Sequence, residues 1–229
     1  NQGLHSVAIS CSAGRTNQAA DCIAIGRLAG NQNQETHSVA IGYSAGRLSQ
    51  GTYSVSLGDN AGNANQSDYC LAMGNYSGST NQNAYSIAMG YYSGSYSQGN
   101  RCISLGANSG QTNQGEKSIA IGYLSGRYNQ GTFSIAMGFE TGRTSQGNYC
   151  IAIGKSAGVS TQSSNAIAIG LNAGYELQSG YSVALGDDAG KYNQSGNSVA
   201  IGNNTAQTNQ GTFSIAIGTN TGRINQSGN

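Results

Sequence analysis

The chain has no proline and no tryptophan, and only 8% of its 229 residues are charged. Lacking proline and a three-residue glycine period, it does not read as collagen-like, despite its 36 glycines. Ten basic side chains against nine acidic ones leave a formal charge of +1, which supplies no electrostatic funnel for nucleic acid. No apolar run approaches the ~20 residues of a membrane-spanning helix. With two histidines and no CxxC spacing, no zinc-ligand pattern is present. A helical reading fails as well, because glycines break every stretch long enough to carry an apolar stripe.

What the chain does contain is a repeat. Fourteen copies of a 16-residue unit run from Ser6 to Asn229 without insertion or deletion. A glycine recurs at one phase from Gly26 to Gly218, with only Ser10 departing in the first copy. A second glycine follows four residues later, from Gly14 onward, and fails only at Ala206. A disordered linker has no need to return aliphatic residues at two fixed phases, so the repeat overrides the disorder that glycine-rich, weakly charged composition suggests. The expected fold is all-β: a parallel β-roll or β-solenoid of fourteen coils. Residues 1–5 are read as the end of a preceding connector and residues 6–229 as one continuous solenoid. Both ends fall in the connector phase without an atypical cap, which leads to the expectation of a longer chain or of end-to-end stacking.

One coil shows the logic. In Ser118-Ile119-Ala120-Ile121-Gly122, Ile119 and Ile121 face one way and Ser118 and Ala120 the other. Neither face carries charge in any copy, so both are expected to be buried, one in the lumen and one against a partner chain. Which face is the lumen stays open at this point. The glycine after the aliphatic pair marks a corner with φ > 0, and the segment up to the second glycine is read as a short second strand. Glutamine holds one phase from Gln18 to Gln226. With coils ~4.8 Å apart, those amides are expected to form a ladder at a turn.

Cys22, Cys70, Cys102 and Cys150 all sit in the serine phase. The closest two are two coils apart, ~10 Å by the strand spacing, which is beyond disulfide reach. They are read as buried serine equivalents, with an interchain bridge as the alternative, and Cys11 lies on a variable corner. His5 and His37 share a phase with Tyr53, Tyr69, Tyr85, Phe133, Tyr149, Tyr181 and Phe213, a shoulder where side chains stack between coils. Tyr43, Tyr91, Tyr92, Tyr123 and Phe139 follow the first glycine and are the candidate surface-binding residues, for a glycan or a host protein, with a packing stripe as the equal alternative. Asp59, Glu140, Asp187 and Asp188 occupy variable corners without a recurring acid partner, and no nucleophilic triad is evident. No enzyme, cofactor or metal is therefore expected. A threonine column (Thr16, Thr80, Thr112, Thr144, Thr208) raises ice binding as a minor reading, but Gln32, Leu48, Tyr96, Tyr128 and Glu176 interrupt it.

The stretch Asn197-Ser198-Val199-Ala200-Ile201-Gly202-Asn203-Asn204-Thr205 resembles the head repeat of trimeric autotransporter adhesins, NSVAIGxxS. Ser38-Val39-Ala40-Ile41-Gly42 and Ser182-Val183-Ala184-Leu185-Gly186 carry its core again. Ala152-Ile153-Gly154-Lys155-Ser156-Ala157-Gly158 and Gln162 are similar to the AIGxxAGxxxQG form of phage tail fibres and giant-virus surface proteins. The resemblance implies a left-handed parallel roll packed as a homotrimer, with Val199 and Ile201 in the core and Gly202 at a corner. It also implies a rigid adhesin head or fibre at a cell or virion surface. A purely structural filament, spike or sheath without a receptor is the rival reading. The sixteen-residue period is longer than the common coil of the adhesin family.

Overall fold

A computed structural model describes residues 2–228. Asn1 and Asn229, the expected outer ends of the leading connector and of the last repeat, lie outside the described residues. The chain divides into two compact units, residues 1–117 and 118–229, and each is a parallel β-solenoid. In the first, seven strands from Val7–Ile9 to Ile103–Leu105 pair in chain order, and seven more from Thr16–Gln18 to Thr112–Gln114 form a second sheet. In the second, strands from Ile119–Ile121 to Ile215–Ile217 form one sheet and those from Tyr128–Gln130 to Thr208–Gln210 the other.

Register follows the sequence period. Val39 faces Val55 and Ile41 faces Leu57, sixteen residues on. The Val39 amide donates forward to the Ser54 carbonyl at 2.9 Å, while the Gly42 amide donates back to Ile25 at 2.9 Å. Strands inside each sheet therefore pair with both neighbouring coils, which is how three-residue strands too short to stand alone become stable.

The second strand is not where the sequence suggested. The residues between the two glycines form the corner turn, and the strand lies further on, in Leu48–Gln50 and its equivalents. Glutamine accordingly closes a strand and points inward, instead of capping a turn. Asn and Gln side chains suggest a turn by composition, but here the alternation of a half-buried pleat sets the inward direction, and the lumen supplies amide partners.

The lumen belongs to the small residues. Ser38, Ala40, Ala45 and Gln50 are fully buried, as are Ser118 and Ala120 in the second unit. Gln34 Nε2 donates to Gln50 Oε1 at 3.2 Å and to the Ile23 carbonyl across the lumen at 2.9 Å. The same amide step recurs at Gln66 to Gln82 (3.0 Å) and at Gln162 to Gln178 (3.0 Å). Each such bond is worth only about 1 kcal/mol net, but an unpaired buried amide costs about 1–3 kcal/mol. With alanine methyls returning little per side chain, hydrogen bonding and close packing hold this interior together.

Two coils replace the lumenal alanine with serine, and both serines join the amide ladder. Ser56 Oγ accepts from Gln50 Nε2 at 3.3 Å and donates to Gln66 Oε1 at 2.8 Å. Ser104 does the same between Gln98, at 3.3 Å, and Gln114, at 2.6 Å. The serine and cysteine column works in parallel. Ser54 Oγ donates to the Ser67 carbonyl at 2.7 Å, and Cys70 Sγ donates to the Asn83 carbonyl at 3.0 Å. The Cys70 amide in turn donates to Ser54 Oγ at 3.1 Å. All five cysteines are free, and the four in the serine phase are buried. Burial pushes the Cys70 thiol up to about 11 despite lowering by backbone hydrogen bonds, and it raises Cys150 as well.

Both glycine columns have a steric cause. Gly42 has φ +131°, and a Cβ there would lie 2.5 Å from the Gly58 carbonyl oxygen of the next coil. Gly46 has φ +50° and sits against the Gln50 side chain. Left-handed backbone is not confined to glycine: Tyr53, Asn60 and Asn65 have φ of 54°, 54° and 56° within one coil's length. Bulky residues adopt this region only where the surroundings impose it.

Candidate functional site

The aliphatic face turns outward. In the single chain it is half exposed, so of the two uncharged faces this is the one that lies outside the lumen. Ile41 and Met89 are each 37% exposed, and Leu185 is 40% exposed. The reason is volume. A narrow lumen already filled by alanine, serine and glutamine has no room for Val and Ile, so the pleat presents them to the outside. Val199 and Ile201, which the resemblance places in the core of a trimer, are likewise half exposed in the single chain, while Ser198 and Ala200 fill the lumen. Each unit thus carries an uncharged aliphatic stripe, continuous over its first sheet.

An aromatic column borders that stripe on the side where the chain enters the first strand. His37 stacks on Tyr53 at 4.7 Å, Tyr53 on Tyr69 at 5.4 Å, and Tyr69 on Tyr85 at 4.9 Å, with ring planes within 13° of parallel. Arg101 closes this stack, its guanidinium 5.6 Å from the Tyr85 ring centre. At the other end Asp21 lies between His5 Nδ1 (3.3 Å) and His37 Nε2 (3.6 Å). In the second unit Phe133 stacks on Tyr149 at 5.2 Å. The sixteen-residue recurrence signalled this shoulder, but not that its rings would lie face to face.

The five candidate binding residues sit at the opposite border of the stripe, on the corner after the first glycine. Tyr43, Tyr91, Tyr123 and Phe139 are about half exposed, from 46% to 55%, and Tyr92 is half-buried. Tyr91 meets Tyr92 edge-on at 4.6 Å, and Tyr92 stacks on Tyr76 at 4.8 Å. In the second unit Tyr123 and Phe139 lie 5.3 Å apart at a 30° tilt, with Lys155 Nζ 5.9 Å over Phe139. Tyr43 carries the Arg27 guanidinium over its face at 5.8 Å. The structure therefore brings four of the candidates together, Tyr91 with Tyr92 and Tyr123 with Phe139, and sets Tyr43 beside the Arg27 guanidinium instead of another candidate ring. Desolvation, followed by the neighbouring Tyr91 and Tyr76, pushes the Tyr92 phenol up.

The second sheet faces outward mainly with polar side chains, interrupted by the exposed Tyr96 and Leu177. Asn17 Nδ2 donates to Asn33 Oδ1 at 3.0 Å, Asn65 to Asn81 at 3.0 Å, and Asn193 to Asn209 at 2.9 Å. The threonines weighed for ice binding open these strands, where Thr16 and Thr144 are exposed and Thr80, Thr112 and Thr208 half-buried. An open groove of about 420 Å³ in the first unit is bordered by Asn33, Glu35, Gly51 and Asp68, and the Thr52 amide holds Asp68 Oδ1 at 2.8 Å.

The acidic corner residues make local pairs. Burial pushes the Asp188 carboxyl up, but hydrogen bonds from Asn172 (3.0 Å), Lys191 (3.1 Å) and Gln207 (3.1 Å), with the lysine charge, hold it below the usual carboxylate range. Glu140 pairs with Arg143 at 3.8 Å. Among the described residues no group of three His, Cys, Asp or Glu side chains is placed to hold a metal ion. No helix among them is long and apolar enough to cross a membrane.

The comparison with known families falls on this same framework. Residues 195–221 match the YadA head domain repeat, in two copies. The matched stretch holds the strands Val199–Ile201 and Ile215–Ile217, whose outward aliphatic and inward alanine positions are those of the other coils. A search of curated proteins finds no match. The chain is thus a β-solenoid with a short YadA-head-like motif, of the kind found in repeat-built adhesins and fibres.

Proposed function

We propose that this chain is part of a rigid, surface-exposed fibre or adhesin head, a left-handed roll packed as a homotrimer, that attaches its bearer to a host or another surface. One observation carries the reading: an aliphatic stripe without a single charge faces outward on the first sheet of each unit, while the second sheet presents mainly polar residues such as the asparagine ladder. Contiguous exposed apolar surface of this kind marks an interaction site, and a repeat-long stripe is matched in length and chemistry by the same stripe on a second copy. The YadA head match over residues 195–221 supports an extracellular setting and a trimer.

Sedimentation equilibrium tests the assembly, with a three-chain mass expected for the wild type. Paired substitution of stripe residues, Leu71→Lys with Met73→Lys, is expected to lower that mass toward one chain while a single-coil Arg127→Ala change leaves it alone. A wild-type protein that stays monomeric across concentrations overturns the trimer. Adherence of protein-coated beads to host cells and matrix then tests attachment.

One observation favours a second reading, a structural filament or spike component without a receptor. Tyr43, Tyr92 and Phe139 each have a ring contact with a cation or another ring of a neighbouring coil, so these rings also serve packing between coils. Trimeric beads that fail to adhere would select it.

A further inference from the structure

The tyrosines that border the stripe are arranged for a covalent reaction with one another. Tyr53, Tyr69 and Tyr85 are 51%, 49% and 54% exposed, and their rings lie 5.4 and 4.9 Å apart, within 13° of parallel. Each is held at φ between 54° and 61° by its corner, so equivalent phenols stand side by side on successive coils. Tyr76 and Tyr92 repeat the geometry at the other border, 4.8 Å apart and 8° from parallel. The four buried cysteines donate to backbone carbonyls and no two of them lie on adjacent coils, so none of them staples one coil to the next.

We propose that these stacked tyrosines are oxidative cross-linking sites, coupled as dityrosine between neighbouring coils when a haem peroxidase and hydrogen peroxide are supplied. Each phenol gives up one electron and one proton to become a phenoxyl radical. The two radicals join through a carbon–carbon bond between their ortho positions, and the hydrogens on those carbons return to the phenol oxygens. The pair loses two electrons and two protons in all, and one hydrogen peroxide takes them up to become two waters. Proximity favours the intramolecular product: a radical on Tyr69 has a partner ring about 5 Å away on either side, an effective concentration no dilute solution matches. Side chains half in solvent keep the rotational freedom needed to turn from face-to-face stacking into the bonded geometry. The product staples one coil to the next at positions sixteen residues apart, on the surface and independently of the reduced lumen.

The chain contains its own control. The corresponding stack in the second unit pairs Tyr149 with Phe133, at 5.2 Å and 6°, and phenylalanine has no phenol to oxidise. The experiment is treatment of the purified, folded protein with horseradish peroxidase and hydrogen peroxide, read by dityrosine fluorescence and by mass mapping of the cross-linked peptides. The expected products join Tyr69 to Tyr53 or Tyr85, and Tyr76 to Tyr92, each lighter by two hydrogens, with a yield per chain that does not change on dilution. Tyr69→Phe preserves the stack, so it is expected to melt with the wild type. In that variant the first product falls to background while the Tyr76–Tyr92 product persists. Cross-links found only between chains and rising with concentration, or a Tyr69→Phe variant with undiminished coupling in the Tyr53–Tyr85 column, overturn the proposal. So does a protein that forms no dityrosine in a tube where added free tyrosine couples.

Discussion

Gly46 and Gln50 share one space: a methyl group on Gly46 would lie 2.6 Å from Gln50 Oε1. The glycine column and the glutamine column are therefore one device. The first clears the volume that the second fills, and its left-handed backbone turns the corner that aims the amide inward.

Gly46→Ala should consequently destabilise the first unit by about 1–3 kcal/mol, combining the left-handed backbone cost with displacement of a fully buried amide. Denaturant melts measure it. A wild-type midpoint would show that the Gln50 side chain yields without losing its partners.

Ala206 is the one residue in that column with a side chain, at φ 46° and fully buried. Ala206→Gly should raise stability, because relief of about 1–2 kcal/mol of left-handed strain exceeds the extra unfolded-state entropy of about 0.4–1 kcal/mol. A lowered melting temperature would instead show that the Ala206 methyl contributes packing that glycine cannot replace.

Gln130→Ala and Arg127→Ala separate the column from its permissive neighbour. Gln130 is 2% exposed and donates to the Ile119 carbonyl at 2.8 Å and to Ser134 at 3.3 Å, so its loss should cost about 1–3 kcal/mol. Arg127 lies half in solvent with its guanidinium 4.6 Å from the Tyr128 ring centre, a contact worth about 0.5–1 kcal/mol. Hydrogen exchange should show lost protection around Tyr128–Gly131 in the first variant only.

Acid should loosen the corner around Asp188 before the sheets. Its folded-state carboxyl titrates below the usual range, so the stability it adds is present above the ordinary carboxylate pKa and disappears as pH falls through the depressed value. Lys191 is raised, burial opposing and the Asp188 hydrogen bond and charge overcoming it. Its contribution is thus present below the ordinary lysine range and lost as pH rises through the elevated value. Asp188→Asn should flatten the acid limb of local exchange at residues 188–191, and an unchanged limb would assign that limb to other carboxyls.

Thiol labelling distinguishes surface from lumen. At pH 8 Cys11 is exposed and should react within the mixing time of a disulfide reagent, whereas Cys70, buried and pushed up to about 11, should react only on unfolding. Cys70→Ser should keep the fold, since Ser54 and Ser86 already donate to the equivalent carbonyls at 2.7 Å. Rapid modification of all five thiols in the native protein would contradict the closed lumen.

The parallel coil, its period and its positive-φ glycine corners were legible in the sequence, because they follow from spacing alone. The inward direction was not. Ser118 and Ala120 against Ile119 and Ile121 give two uncharged faces, and hydrophobicity ranks the isoleucines as core. Volume decides otherwise, and volume emerges only once Gln130 and its equivalents are seen to occupy the lumen. That is also why the second strand was misplaced. Leu48-Ser49-Gln50 looks like a polar connector until its last residue is found pointing inward. Of the candidate site, the spacing placed Tyr91, Tyr92, Tyr123 and Phe139 on one surface corner, but ring orientation depends on rotamers that no period encodes.

Because Val39 faces Val55 in the register that Ile23 keeps with Val39, a coil can be removed without creating a new core. Loss of Val39–Ser54 leaves Ile23 against Val55 and Gln34 beneath Gln66, chemically the same junction as before. Length in such a chain is heritable separately from fold: recombination between copies that drops or adds sixteen codons changes reach while giving each residue at the junction a neighbour from the same phase of the repeat.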